Sequence, residues 1–133
     1  MDNKTNSLEV PQKGNILIIN TGSTTTKLGY FSDGVRVFDT KLEHTAEDVA
    51  KYPSVMDQAD MRHQAIKDFM ASKGIPLEDF DIVMARGGLI VPVITGVYNV
   101  NQDMRDVLKS CRDGNHACNL SAILADDVAK EIN

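Results

Sequence analysis

The chain has 133 residues and a formal net charge of -5 with no basic cluster, which argues against nucleic acid or an anionic membrane as the main partner, because both favour a basic patch. An apolar fraction of 42% at this length is enough for one buried core, and no apolar run is long enough to span a bilayer. The two cysteines fit a reducing compartment in which thiols stay free, so we expect a cytoplasmic protein.

A polar segment, residues 1–14, opens the chain. It has no apolar core and contains Pro11 and Gly14, so the pattern predicts a flexible leader rather than a signal peptide. Residues 15–133 are then expected to form the folded unit.

The apolar run Ile16–Ile19 ends abruptly at a polar turn that is rich in hydroxyl groups. Gly22 lets the backbone approach an anion, and the hydroxyls that follow can donate to phosphate oxygens. The turn is not a Walker loop, because the residue order differs and no helix pattern follows. Alternate residues of a strand face opposite sides, so we expect Thr24 and Thr26 to be structural. The candidate phosphate-binding residues are Asn20, Gly22, Ser23, Thr25 and Lys27.

Two of these candidates have a second interpretation. The side-chain amide of Asn20 can donate and accept toward a phosphoryl group, but it can also cap the turn. Lys27 can steer phosphate toward the turn or simply lie in solvent, and the sequence does not decide between the two roles.

A meander of three strands is predicted at the start of the folded unit. Residues 25–31 carry β-branched and aromatic side chains, and Ser32-Asp33-Gly34 is typical of a hairpin turn into a third strand, 35–42. Thr45 then has the position of a helix cap for a short helix that ends near Tyr52-Pro53.

A longer helix follows, with Ser54 as its expected cap and Gly74 and Pro76 as its stop signals. Its apolar stripe predicts core packing, and the members of the stripe are Met61, Ala65, Ile66, Phe69 and Met70. The wholly apolar run Ile82–Ala85 suits a strand buried on both faces and paired with the first strand. Asn101 is expected to cap a third helix, and residues 120–132 have the spacing of a last helix. The predicted fold is therefore α/β with a mixed sheet, in the order β-β-β-α-β.

Arg86 stands at the carboxyl end of the predicted fourth strand and precedes Gly87 and Gly88, so its guanidinium can project into a crevice. A guanidinium holds a carboxylate or phosphoryl group through two parallel hydrogen bonds. The apolar run after the glycines can line a pocket for an aliphatic tail or belong to the core, and its members are Leu89, Ile90, Val91 and Val93.

His116 precedes the last helix, where it can donate to charge that develops on a phosphoryl group or act only as a cap or a packed ring. Asn119 is a weaker companion candidate. With Cys111 and Cys118, His116 forms a cluster of three residues that can ligate metal, but structural zinc normally takes four ligands, so we expect no metal site.

Four segments, in this order along the chain, resemble motifs of the butyrate kinase branch of the acetate and butyrate kinase family. They are Asn20–Thr24, Ala85–Leu89, Gly96–Asn101 and His116–Leu120. The resemblance covers residues 15 to 132. Thr21 departs from it where proline is common, and Cys118 departs where serine is common.

The resemblance implies the ribonuclease H-like half of an actin-like ATPase fold, which is one lobe of a two-lobed enzyme with its active site between the lobes. It implies transfer of the terminal phosphoryl of ATP, with Mg²⁺, to butyrate or a related short-chain carboxylate. Asn20 would place the phosphoryl group, Arg86 would bind the carboxylate and the transition state, and His116 would stabilise charge. Gly87, Gly88 and Asn119 would help bind substrate.

The resemblance also implies that the adenosine and magnesium ligands lie in the second lobe, that the whole enzyme is a homo-oligomer, and that this chain alone is inactive. Three alternatives stay open. The enzyme can be an acetate or propionate kinase, although the segments at 85–89 and 116–120 favour the butyrate branch. The chain can also be a non-catalytic actin-like module that binds nucleotide, or an α/β module used only for contacts.

Overall fold

The computed structural model describes residues 13–132, so most of the predicted leader lies outside the described residues. Four strands form one sheet in the order β3-β2-β1-β4: β1 (Asn15–Thr21), β2 (Thr25–Ser32), β3 (Val35–Glu43) and β4 (Ile82–Ala85). The first three strands pair antiparallel, and β4 runs parallel to β1. The predicted α/β class with a mixed sheet is confirmed.

The turn between β2 and β3 shows why this hairpin could be predicted from sequence. Asp33 and Gly34 both have positive φ, 49° and 80°. Positive φ at both central residues defines the primed turn whose twist matches antiparallel strands, and Asp-Gly adopts it readily. The carboxylate of Asp33 also accepts a hydrogen bond from the Gly14 N–H at 2.7 Å. This bond ties the hairpin turn to the residue just before β1.

Four helices follow or separate the strands. They are α1 (Ala46–Ala50), α2 (Ala59–Ser72), α3 (Gln102–Ser110) and α4 (Asn119–Ile132). The predicted caps of α1 and α3 are confirmed, because Thr45 accepts a bond from the Asp48 N–H and Asn101 accepts one from the Met104 N–H.

The predicted cap of α2 is wrong. The hydroxyl of Ser54 bonds the carboxylate of Asp57 at 3.0 Å, and a short 3-10 helix, Met56–Gln58, leads into α2 instead. Gln58 then precedes the helix without a side-chain cap. Because the Ser54 hydroxyl bonds Asp57, it is not used to cap the helix backbone. The residue that precedes α2 is therefore Gln58, four residues after the predicted cap.

The core lies between one face of the sheet and helices α2 and α4. Leu17, Ile19 and Leu28 of the sheet meet Ile66 of α2 and Leu124 of α4. Rings of four aromatic residues stack edge to face beside this core, namely Tyr30, Phe38, Phe69 and Phe80. Each such aromatic pair adds about 0.5–1.5 kcal/mol beyond its buried area.

The prediction that β4 is buried on both faces is wrong. All four of its residues are only partly buried, because β4 is the outermost strand of the sheet within residues 13–132. Val83 and Ala85 pack on the core, and all four residues of the strand border an open cavity. In the described part of the chain, no helix is long and apolar enough to cross a membrane.

Candidate functional site

The turn between β1 and β2 is tight and closed by its own backbone. The Gly22 N–H donates to the Thr25 carbonyl at 2.8 Å. A Cβ on residue 22 would lie 2.7 Å from Thr25 Oγ1, so glycine is required by close approach. Ser23 and Thr24 are exposed at the tip. Among residues 13–132, no acceptor bonds the N–H of either residue, so two backbone donors are available to an anion.

The strand register places Asn20 beside Lys27, its direct partner across the β1–β2 pair. Both lie on the sheet face opposite Leu17 and Ile19, because side chains alternate along a strand. Lys27 is exposed, while Thr26 next to it is buried and bonds His44. The expected structural place of Thr26 agrees with this contact, whereas Thr24 is exposed at the tip of the turn.

Arg86 and the turn lie at the same edge of the sheet. The Arg86 N–H donates to the Ile19 carbonyl at 3.0 Å, which continues the parallel ladder one residue beyond β4. The Arg86 side chain is exposed, and it forms no ion pair with any carboxylate of residues 13–132. Gly87 and Gly88 have positive φ, 84° and 116°, so the chain turns away directly after Arg86.

Helix α4 points its N-terminus at this edge. Its first turn meets Thr21, while its other end packs near the 3-10 turn Leu77–Asp79, which bonds Asn15 at the start of β1. The helix therefore runs antiparallel to β1 and β4, with the positive end of its dipole at their carboxyl ends. Ligands of α/β proteins commonly bind at this end of the strands. His116 is exposed just ahead of the helix.

Asn119 joins the two loops that carry Arg86 and His116. Its side chain is 0% exposed. Its Oδ1 accepts from the Leu89 N–H at 2.8 Å, and its Nδ2 donates to the Gly114 carbonyl at 2.8 Å. Both amide atoms are thus used inside the protein, which suits a residue that holds the loops in place.

Two hydroxyls connect β1 to α4. Thr21 Oγ1 lies 2.7 Å from Ser121 Oγ and donates to the Ala117 carbonyl at 2.5 Å. The Thr21 N–H also donates to Ser121 Oγ at 3.0 Å. Thr21, which departs from the family pattern, is therefore paired rather than left unsatisfied.

Both cysteines lie beside these loops. Cys111 contacts Asn119 Nδ2 through its sulfur, and the Cβ of Cys118 lies next to Gly87. Within residues 13–132, no group of three His, Cys, Asp or Glu side chains is arranged to hold a metal ion.

Arg62 is a residue of this region that the sequence reasoning missed. It is 0% exposed on α2 and donates to the carbonyls of Ser23 at 2.9 Å and Thr25 at 2.7 Å, directly beneath the turn. Burial lowers its pKa. Its position was a usable signal, because Arg62 stands four and eight residues before the core residues Ile66 and Met70.

A cavity of about 800 Å³ opens beside β4. Ile90 and Val93 of the apolar run line it, together with Gly87 and Gly88, whereas Leu89 and Val91 are not part of its lining. The cavity follows β4 and reaches Asp126 of α4; Arg86 is not part of its lining, although its chain neighbours Ala85 and Gly87 are.

These observations define an α/β domain with a candidate anion-binding turn (residues 22–25), an arginine that forms no ion pair within residues 13–132, and a histidine loop at one edge of its sheet. No protein-family model matches the chain. The chain is 42% identical over 118 residues to Butyrate kinase 1 of Clostridium acetobutylicum, a match that covers 89% of the chain and 33% of that relative. The resemblance inferred from the motifs is thereby confirmed, and the chain spans about a third of the length of the relative.

Proposed function

We propose that this chain forms the N-terminal lobe of a carboxylate kinase of the butyrate kinase type, and that a second lobe completes the site in a longer protein. The strand order and the mixed sheet fit the ribonuclease H-like half of an actin-like ATPase. The similarity to Butyrate kinase 1 supports the reaction type. We expect the full-length enzyme to be a homo-oligomer.

The proposed reaction transfers a phosphoryl group between two oxygens. A carboxylate oxygen attacks the terminal phosphorus of ATP, the bond from that phosphorus to the ADP oxygen breaks, and acyl phosphate and ADP result. Such transfers depend on alignment and on stabilisation of the charge on the phosphoryl oxygens rather than on covalent help from the protein.

Each exposed group at the sheet edge has a place in this scheme. The N–H groups and hydroxyls of Ser23 and Thr24 hold the phosphoryl oxygens, and the amide of Asn20 orients them from the neighbouring strand. Arg86 binds the carboxylate with both arms of its guanidinium, which lowers the repulsion between two anions. His116 donates to the charge that develops on the phosphoryl group.

Other candidates have supporting places. Lys27 steers the phosphate, Thr25 closes the turn, and Gly87 and Gly88 let the backbone leave the site. Asn119 keeps the Arg86 and His116 loops together. Because the family resemblance implies that the Mg²⁺ ligands lie in the second lobe, we assign no step of the reaction to a metal held by this chain.

The observation that carries the proposal is the 3.0 Å bond between the Arg86 N–H and the Ile19 carbonyl. It pairs the start of the arginine loop with Ile19, which lies one residue before Asn20 and three before Gly22. The proposed phosphoryl-binding turn and the proposed carboxylate-binding arginine therefore lie at one edge of the sheet.

The test is the formation of acyl phosphate from ATP and butyrate by the complete protein that carries this chain, trapped with hydroxylamine. We expect Arg86→Ala to lower kcat/KM by about 10³-fold, the size of effect seen when a charge-stabilising donor is lost. Arg36→Ala is the matched control, because Arg36 is an exposed arginine on β3 paired only with Asp39.

Equal activity of the two variants would contradict the proposal. The isolated 133-residue chain should form no acyl phosphate, because closure of two lobes is needed to align the substrates and exclude water. Turnover by the isolated chain would contradict the two-lobed part of the proposal.

A further inference from the structure

The chain contains two buried arginines with opposite surroundings. Arg105 of α3 is 9% exposed and bonds the carboxylates of Asp126 and Asp127, both at 2.9 Å. Arg62 is 0% exposed and has no carboxylate partner within residues 13–132. Burial of a charge is costly unless the charge is paired. The burial of Arg105 is explained by its two carboxylate partners, whereas the burial of Arg62 needs another explanation.

Neutral oxygens alone satisfy Arg62. Gln58 Oε1 accepts from Nε at 3.1 Å and from Nη2 at 2.8 Å, and Thr26 Oγ1 accepts from Nη1 at 3.3 Å. The carbonyls of Ser23 and Thr25 accept the remaining bonds. The guanidinium is therefore held in one geometry while its charge stays uncompensated.

The same bonds fix the direction in which the turn presents its donors. In a trans peptide the C=O and the following N–H point in opposite directions. Because the Ser23 carbonyl points inward at Arg62, the Thr24 N–H points outward, away from the guanidinium. The Thr24 carbonyl is likewise held, by the His44 N–H at 2.8 Å. The Thr24 N–H is thus directed toward solvent, while the carbonyls of Ser23, Thr24 and Thr25 are each held by a donor of the protein.

We propose that Arg62 is a positioning residue for the anion-binding turn, one that orients the outward Thr24 N–H and supplies, from behind, an unpaired positive charge that raises phosphate affinity. The inference rests on the proposed function for its meaning in catalysis. It predicts that neutralising the charge without disturbing the geometry weakens phosphate binding.

Gln58→Glu makes that change. Glutamate has nearly the shape of glutamine, and its Oε1 can accept the same two bonds while it pairs the guanidinium with a carboxylate. The matched control is Gln64→Glu, which adds the same charge at an exposed position of α2, the helix that carries Arg62. The measurement is the rise in melting temperature of the complete protein with inorganic phosphate, which gives an apparent dissociation constant, together with KM for ATP.

We expect Gln58→Glu to raise the apparent dissociation constant for phosphate and KM for ATP by about tenfold, the effect of a modest electrostatic coupling. Its melting temperature without ligand should equal or exceed that of the parent, and Gln64→Glu should bind phosphate like the parent. A purely structural Arg62 predicts no change in phosphate affinity, and that result in a folded Gln58→Glu protein would overturn the proposal.

Arg62→Lys and Arg62→Met provide a second route if Gln58→Glu does not fold. Lysine keeps the charge, so it should retain more phosphate affinity than methionine does, whereas an equal loss in both would count against the electrostatic role. Absence of acyl phosphate formation by the parent protein would remove the kinase assignment alone, because the phosphate measurement tests Arg62 independently.

Discussion

The hydroxyl of Thr21 at the end of β1 lies 2.7 Å from the hydroxyl of Ser121 in the first turn of α4. Both residues are buried, and the Thr21 hydroxyl reaches the Ala117 carbonyl as well. The pair fixes the helix N-terminus against the strand end that precedes the candidate anion-binding turn, so the two sides of the candidate site are joined by a polar contact inside the protein.

Thr21→Val and Ser121→Ala should each lower the free energy of unfolding, because each leaves a buried polar group unsatisfied. Since both remove the same contact, the double variant should be less destabilised than the sum of the singles, by about 1 kcal/mol. Urea denaturation of the three variants gives this coupling. Simple additivity would show that the two hydroxyls act independently.

Gly22→Ala should destabilise the protein by about 1–3 kcal/mol, the usual cost of overpacking, because the new methyl group meets Thr25 Oγ1. The double change Gly22→Ala with Thr25→Ala should recover part of that loss, since the obstructing atom is gone. Gly96→Ala is the control, because a Cβ there lies at least 3.6 Å from its neighbours. If Thr25→Ala restores none of the stability lost in Gly22→Ala, the contact with Thr25 Oγ1 is not the cause of that loss.

Asn119→Ala should cost about 1–3 kcal/mol, since it leaves the Leu89 N–H and the Gly114 carbonyl without their partner. Asn119→Asp is informative too, because it keeps the acceptor for Leu89 but sets a carboxylate oxygen against the Gly114 carbonyl. Asn115→Ala, at an exposed position, serves for comparison. Thermal unfolding gives the three values, and equal stability of the position 119 and position 115 variants would argue against the link between the loops.

Ile90→Ala should change the acyl-chain preference of the complete enzyme, because Ile90 lines the cavity that Gly87 and Gly88, the two residues after Arg86, also line. A methylene in an apolar pocket is worth about tenfold or more in discrimination, so the ratio of kcat/KM for butyrate to that for acetate should fall by about tenfold. Val91→Ala should leave the ratio unchanged, since Val91 is exposed and does not line the cavity. An unaltered ratio in Ile90→Ala would remove the support for an acyl pocket at this place.

Stability should fall in mild acid because of His44. Its burial, reinforced by the Arg62 guanidinium, lowers the pKa of His44, while Asp48 opposes the shift. Below the ordinary histidine pKa of about 6.5, the unfolded chain then binds more protons than the folded one, so stability is lost as the pH falls through that value. Urea denaturation gives the free energy of unfolding at pH 8 and at pH 5, and the loss between the two should be smaller for His44→Gln than for the parent, on the order of half. The same dependence of the free energy of unfolding on pH in both proteins would contradict the role of His44.

The sequence predicted the elements whose signals are local. The Asp33-Gly34 hairpin and the caps Thr45 and Asn101 each depend on side chains within a few residues, so the pattern carries the information. The cap of α2 failed although its signal was also local, because Ser54 and Asp57 bond each other rather than the helix backbone.

Features that depend on distant neighbours were harder to predict. The run Ile82–Ala85 has the same composition whether or not another strand covers its outer edge, so sequence alone suggested full burial. Arg62 was missed because a charged residue on an apolar stripe is ordinarily taken to lie at the margin of the stripe, not in the core. Asn119 was expected at the ligand, and only the positions of Leu89 and Gly114 show what its amide bonds.

Both cysteines of the chain lie in the segment 111–118 between α3 and α4, which also carries His116. The Cβ of Cys118 lies next to Gly87, the residue after Arg86, so a displacement of the segment after Arg86 changes how much of Cys118 is covered. The rate of alkylation at this sulfur is accordingly a built-in reporter of loop position, and it can be followed by mass spectrometry in the native sequence without introducing a label.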